Sequence, residues 1–193
     1  FDWVLRTERN IAEFSEVKPL LMPVIRFPGE QQWHIDSTPI IDALEQRHPG
    51  QRSIIPDSLS YAFLAYLIED FADEWLTKAM FHYRWAYDAD VKYASFWIAD
   101  DFFPDQKEAA RAAAAKGFAD RQIERMPLVG CTPKNAPIIE ETYRRTLTLL
   151  ERHVGLHDYL FGTRPSIADF GLFGQLKTMA TDPTPLAIMR EQA

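Results

Sequence analysis

The sequence predicts an α/β segment over residues 1–50, a linker over residues 51–57 and an all-helical segment over residues 58–193. Two observations carry this. Short runs of strand formers, punctuated by turn residues, follow the order strand, helix, strand, strand, helix in the first part. From Pro56 onward apolar residues recur at helical spacing and no convincing strand occurs.

Residues 1–6 alternate and are rich in strand formers, which predicts a first strand. Asn10, with Glu13 three residues later, marks a helix start whose apolar positions are Ile11, Phe14 and Val17, and which must end before Pro19. Residues 22–27 and 31–35 are extended runs separated by Phe27-Pro28-Gly29-Glu30, a turn suited to an antiparallel hairpin. Ser37 is expected to cap the next helix, with Pro39 in its first turn, Ile40, Ile41 and Leu44 on its apolar face, and His48-Pro49-Gly50 ending it. In the second part, Leu64, Leu67, Ile68, Phe71 and Trp75 share one helical face, as do Ile139, Tyr143, Leu147, Leu150 and Val154. Residues 106–124 predict a further helix. Residues 126–137, with three prolines and Gly130, predict a loop. Residues 185–193 read as the opening of a last helix.

Composition narrows the function classes. Of 193 residues, 47% are hydrophobic, and 13 Phe, 7 Tyr and 5 Trp supply ample core material. The 28 acidic residues against 21 basic ones leave a net charge of -7 and no basic stripe, which argues against a phosphate-backbone partner. Cys131 is the single cysteine and has no disulfide partner in the chain. No tract approaches the ~20 apolar residues that a bilayer demands. These features predict a soluble, cytoplasmic protein with no nucleic-acid or membrane partner. The chain opens on Phe1 with neither a methionine nor a signal-like segment, so an upstream segment is expected.

Residues 163–180 carry the clearest local signal. Ser166-Ile167-Ala168-Asp169 is a capping-box variant, in which the Asp169 carboxylate reaches back to the cap amide and complements the positive helix end. The next residues, Phe170-Gly171-Leu172-Phe173-Gly174, are apolar almost all round and predict a helix buried at the centre of its domain.

Two separated motifs now combine. Pro19 to Glu45 contains Met22-Pro23 before a strand and Asp36-Ser37 before a helix; Tyr159-Leu160-Phe161-Gly162 runs into the Ser166 to Asp169 box. Together they resemble the glutathione transferase superfamily over nearly the whole chain. The resemblance implies a thioredoxin-like N-terminal domain, incomplete here because its first strand and helix are missing, followed by the all-α C-terminal domain. It also implies a cis bond at Met22-Pro23, glutathione as co-substrate and a homodimer.

The chemistry of the first motif can be argued from the residues. A cis Met22-Pro23 bond would turn the Met22 backbone outward to pair with an extended peptide-like ligand. Asp36 suits an ammonium group, while Ser37 and the helix start behind it suit a carboxylate; the γ-glutamyl end of glutathione carries both. Taken singly, Pro23 is a strand-start proline and Ser37 a helix cap. The resemblance implies a catalytic hydroxyl or cysteine upstream of Phe1, so the catalytic residue is unknown. The loop Lys18-Pro19-Leu20-Leu21-Met22-Pro23 departs from the family pattern, being one residue shorter and lacking its glycine.

Trp75, His82, Tyr83 and Trp85, with Arg84 among them, are the candidates for a second-substrate pocket; core packing with a hydrogen-bonded histidine is the alternative. Ser166 and Asp169 are structural caps. His153 and His157 have a ligand-like spacing, but Gly155 breaks the helix between them, so no metal site is expected. Cys131 reads as a bystander thiol, and Glu69, Asp70, Asp73 and Glu74 as a solvated helix face. The expected function is conjugation of glutathione thiolate to a small hydrophobic electrophile. The alternatives are a glutathione-dependent thiol-disulfide reductase of the same fold and a non-catalytic glutathione transferase-like interaction module.

Overall fold

In the computed structural model, which describes residues 2–50 and 52–192, the hairpin forms where its turn residues demand it. Glu30 N–H donates to Phe27 O at 3.1 Å, and Gly29 adopts φ 80°, a left-handed value that glycine tolerates without a Cβ clash. Strand β1, Val24–Ile25, pairs antiparallel with β2, His34–Ile35, in the register Val24 to Ile35 and Ile25 to His34. The extended runs are therefore paired over two residues each. Helix α1, Ser37–Arg47, follows directly, and its last turn returns to the hairpin. The Arg47 guanidinium lies 3.8 Å from the Phe27 ring centroid and donates to Glu30 at 2.6 Å.

The N-terminal expectation is corrected. Phe1 lies outside the described residues, and Asp2 to Arg6 form no strand, having no neighbouring strand among the described residues to pair with. Asn10 opens only a single 3-10 turn, Ile11–Phe14. Its side chain is used upstream instead: Oδ1 accepts from Thr7 N–H and Nδ2 donates to Leu5 O, each at 2.9 Å.

The helical part begins with α2, Leu59–Asp70, which runs through a π-helical turn, Phe71–Leu76, into α3, Thr77–Ala86. Then come α4, Asp88–Phe102, α5, Glu108–Arg125, α6, Ala136–Val154, α7, Ile167–Met179, and α8, Pro183–Gln192. Between α5 and α6 the expected loop contains a 3-10 turn, Met126–Val129, closed by Gly130 at φ 81°. The sequence reading passes over α4, although Val91, Ala94 and Ile98 lie at helical spacing behind the acidic first-turn residues Asp88 and Asp90.

One core joins α3, α6, α7, α8 and the π turn through Leu76, Tyr83, Ile139, Tyr143, Met179 and Ile188. Polar ties fix α8 against it. Arg84 Nε donates to Asp182 at 2.8 Å, Thr184 N–H donates to Asp90 at 2.9 Å, and Tyr143 OH donates to Pro185 O at 2.9 Å. Helix α7 lies against α2 and the π turn, burying Ile167, Ala168 and Leu172. It is not buried all round, because Phe170 and Phe173 project from the opposite face and remain exposed.

The start of α7 is held by one carboxylate. Asp169 Oδ2 accepts from Ser166 N–H at 2.8 Å and from Ser166 Oγ at 2.7 Å, while Oδ1 accepts from Leu160 N–H at 2.9 Å. Two backbone donors depend on it, so Asp169→Ala should cost about 2 kcal/mol in urea unfolding, and Ser166→Ala about 1 kcal/mol. Equal, negligible losses would show that the box is ornamental to stability.

Candidate functional site

The strand register brings the two halves of the first motif together. Carried one step beyond the Val24 to Ile35 pair, it sets Pro23 alongside Asp36, so Met22-Pro23 and Asp36-Ser37 occupy the same end of the hairpin. The Met22-Pro23 peptide bond is cis, as is Lys18-Pro19. Asp36 adopts φ 74° and ψ 131°, a conformation that a non-glycine residue rarely takes and that costs on the order of 1–3 kcal/mol.

Asp36, not Ser37, is the N-cap of α1; Ser37 is the first helical residue. The cap bond is long, with Thr38 N–H reaching Asp36 Oδ1 at 3.4 Å, so it takes little of the carboxylate's acceptor capacity. Thr38 Oγ instead donates to Glu69 Oε1 at 2.8 Å, tying the start of α1 to α2.

This tie frames an acidic cleft of about 320 Å³, lined by Asp36, Thr38, Tyr66, Glu69, Asp70, Asp73 and Glu74. The expectation of a wholly solvated acidic face is corrected here, because Glu69 is only 8% exposed. Burial first, and then the charges of Asp73, Asp70 and Asp36, push the Glu69 carboxyl above its ordinary range against the opposing Thr38 bond. Burial likewise raises Asp73, aided by Glu74, Asp36 and Asp70. Such a cluster is under-neutralised, and a cation entering it would be attracted by every member.

A second, apolar cleft of about 680 Å³ runs along the same helical rod, lined by Leu67, Ile68, Phe71 and Trp75 with Asp70, Glu74 and Lys78. Asp70 and Glu74 line both clefts. The π turn lies where the two meet, and its wider spiral departs from the simple α spacing assumed for these acids.

Of the four residues expected around the second substrate, Trp75 stands at this wall, 38% exposed. The other three lie elsewhere. His82 is buried and its Nε2 meets Glu140 Oε1 at 2.8 Å. Tyr83 is buried between Tyr87 and Tyr143, with ring centroids 5.8 and 5.2 Å away. Trp85 packs among Ala94, Ala119 and Phe118. The sequence grouped these residues by adjacency, whereas a helix sends positions 82, 83 and 85 in different directions. Missed altogether were Thr38 and Tyr66, whose roles arise only from the approach of α1 to α2.

The remaining candidates are engaged locally. His153 and His157 have ring centroids 4.8 Å apart, but His153 Nε2 meets Tyr159 O at 3.0 Å. Among the described residues no group of three or more His, Cys, Asp and Glu side chains is arranged to hold a metal ion. Cys131 is buried in the main core, its thiol raised by burial and donating to Lys78 O at 3.5 Å. No helix of the described residues is long and apolar enough to cross a membrane.

Residues 104–191 match the family model of the glutathione S-transferase C-terminal domain. This match supports membership of the glutathione S-transferase superfamily. No curated protein and no solved structure matches it. The matched stretch spans α5 to α8 and includes the Ser166 to Asp169 box. The two clefts and the Met22 to Ser37 region lie before it.

The raised carboxyls fix the sign of a pH effect. A folded-state value above the unfolded one means that the native protein holds the proton more tightly, so ionised Glu69 and Asp73 oppose folding at neutral pH. That opposition is relieved as pH falls through the raised values toward the ordinary carboxylate range. Asp73→Asn should therefore stabilise the protein at neutral pH and low salt. The gain should shrink on acidification and in high salt, as read by thermal unfolding; a gain independent of both would mean that like-charge repulsion is not its source.

Proposed function

We propose that this protein binds glutathione through Met22, Pro23, Asp36 and Ser37 and conjugates its thiolate to a small hydrophobic electrophile. The observation that carries this reading is the strained Asp36 and the α1 start standing at the same end of the hairpin as Met22-Pro23 and opening onto an acidic cleft. In it, the outward backbone of Met22 pairs with the tripeptide as an added strand would. The γ-glutamyl ammonium meets Asp36, backed by Glu69 and Asp73, and the adjoining carboxylate meets Ser37 and the first amides of α1.

The cap geometry supports this division of labour. Because Asp36 caps α1 weakly and Ser37 is not the cap, neither polar side chain is consumed by the helix. The electrophile then lies in the apolar cleft beside Trp75. The thiol proton passes to a base, a group not assigned within this chain, and the sulfur bonds to the electrophilic carbon as that carbon's bond to its leaving group breaks and the leaving group departs with the electron pair. The reading takes residues 1–50 as a thioredoxin-like N-terminal domain, 51–57 as a linker and 58–193 as the helical domain of a cytoplasmic homodimer.

A non-catalytic module is the second reading, and the short Lys18 to Pro23 loop without a glycine favours it. Calorimetric titration of glutathione into the full-length protein separates the two. Binding should weaken about tenfold or more in Ser37→Ala, equivalent to about 1.4 kcal/mol, with unfolding unchanged. Asp36→Gly should weaken it too while holding or slightly raising stability, since glycine accepts the positive φ. Absence of binding to the unsubstituted protein would favour the non-catalytic module.

A further inference from the structure

The geometry points to a cationic amphiphile as the ligand of the cleft beside Trp75, with its apolar body on Leu67, Ile68, Phe71 and Trp75 and its ammonium between Asp70 and Glu74. The inference rests on the proposed function only in calling such a molecule the second substrate.

The cleft is an open groove whose lining residues all lie on the rod from α2 to α3, and its apolar wall is accessible, with Leu67 51% exposed. An uncharged electrophile would use that wall and leave the rim idle. The rim is not neutral: Asp70 and Glu74 line this cleft and also the acidic one, so one edge of the apolar surface opens onto five carboxylates, including those of Asp36, Glu69 and Asp73. An anionic ligand would meet that field head-on.

Lys78 is the one cation among the lining residues, and its ammonium already donates to Glu74 O at 2.5 Å. The same ammonium stands 5.9 Å from the Trp75 ring centroid, so the indole face accommodates a positive charge at the cleft. A second copy of the chain is a poorer occupant. A two-fold contact through this surface would bring the same acidic patch to both sides, with Lys78 as the lone cation lining it. Charge complementarity thus selects an apolar amine.

The test uses three probes of equal chain length, decylammonium, decanol and decyl sulfate, each titrated into the full-length protein below its micellar concentration and followed by calorimetry. Decylammonium should bind about tenfold tighter than decanol, and decyl sulfate more weakly than either. The ammonium advantage should fall with salt and vanish in Asp70→Asn/Glu74→Gln, whereas Trp75→Ala should weaken all three. Should the double variant fail to fold, the salt series on the unsubstituted protein decides. Equal binding of the three probes, no binding of any, or an advantage insensitive to salt overturns the inference. So does a dimer, seen by light scattering, that Trp75→Ala dissociates, since a second copy then occupies the cleft. Glutathione is titrated separately: its failure to bind while decylammonium binds overturns the proposed function and leaves this site standing.

Discussion

The close approach of α7 to α2 at Gly171 is the constraint on which the candidate site depends. A Cβ at that position would stand 3.3 Å from both Cα and Cγ of Glu69 and 3.5 Å from Cβ of Ala72. Glycine therefore lets the two helices meet almost backbone to backbone, which sinks Glu69 into the interface. From there Glu69 takes the Thr38 hydroxyl, and through Thr38 the start of α1 acquires its position beside the cleft. The Asp169 carboxylate secures the other side of this arrangement, since it orders the α7 start, and Ile167 N–H donates to Ile54 O at 2.9 Å in the segment leading to α2. A cap in the matched helical segment and a hydroxyl at the start of α1 thus belong to one chain of contacts.

Two kinds of acidic residue occur in the fold, and their partners separate structure from function. Asp182 is buried against the Arg84 guanidinium, and Glu140 accepts from Tyr87 OH at 2.7 Å and meets His82. Burial works against the Glu140 carboxylate, but those bonds hold it below its ordinary range. Each acid has such a partner within the chain, Asp182 through one of its two oxygens, and the pairs fix α8 and α6 to α3. Glu69 and Asp73 are different, because the charged groups that act on them after burial are neighbouring carboxylates, which raise both further. A buried charge without a counter-ion is unfavourable to the fold, so its retention beside a cleft is a reason to look for a cationic ligand.

The helical part was legible because its signals are local. The helices over Leu64 to Trp75 and over Ile139 to Val154, the Ser166 to Asp169 box and the turn at Gly29 follow from spacing or from a single residue's backbone freedom, although Leu64, Leu67, Trp75 and Val154, read as core-facing, are exposed. Helix α5 starts at Glu108, two residues after the expected Gln106, an ordinary uncertainty of a helix end. Residues 2–6 were misread because alternation shows only that a segment could be a strand; a ladder needs a partner. The exposed Phe170 and Phe173 were misread because composition cannot say which flank of an apolar helix a neighbour covers. Met22, Pro23, Asp36 and Ser37 were singled out by resemblance, and the strand register brings them to one end of the hairpin. The convergence of Thr38 with Glu69 was not, since it depends on a helix crossing that Gly171 permits and no spacing announces.

The most direct test of this account is a pair of substitutions on α7, Gly171→Ala and Gly174→Ala, compared by urea unfolding. Both would gain helix propensity of about 1 kcal/mol. Gly174 has nothing within 4 Å of a built Cβ, whereas Gly171 meets the Glu69 backbone. The account predicts that Gly174→Ala is stabilised by up to about 1 kcal/mol and that Gly171→Ala falls at least about 1 kcal/mol below it, with the helix gain lost to displacement of α2. Equal stabilisation of both variants would contradict the claim that this contact sets the position of Glu69 and of the site built upon it.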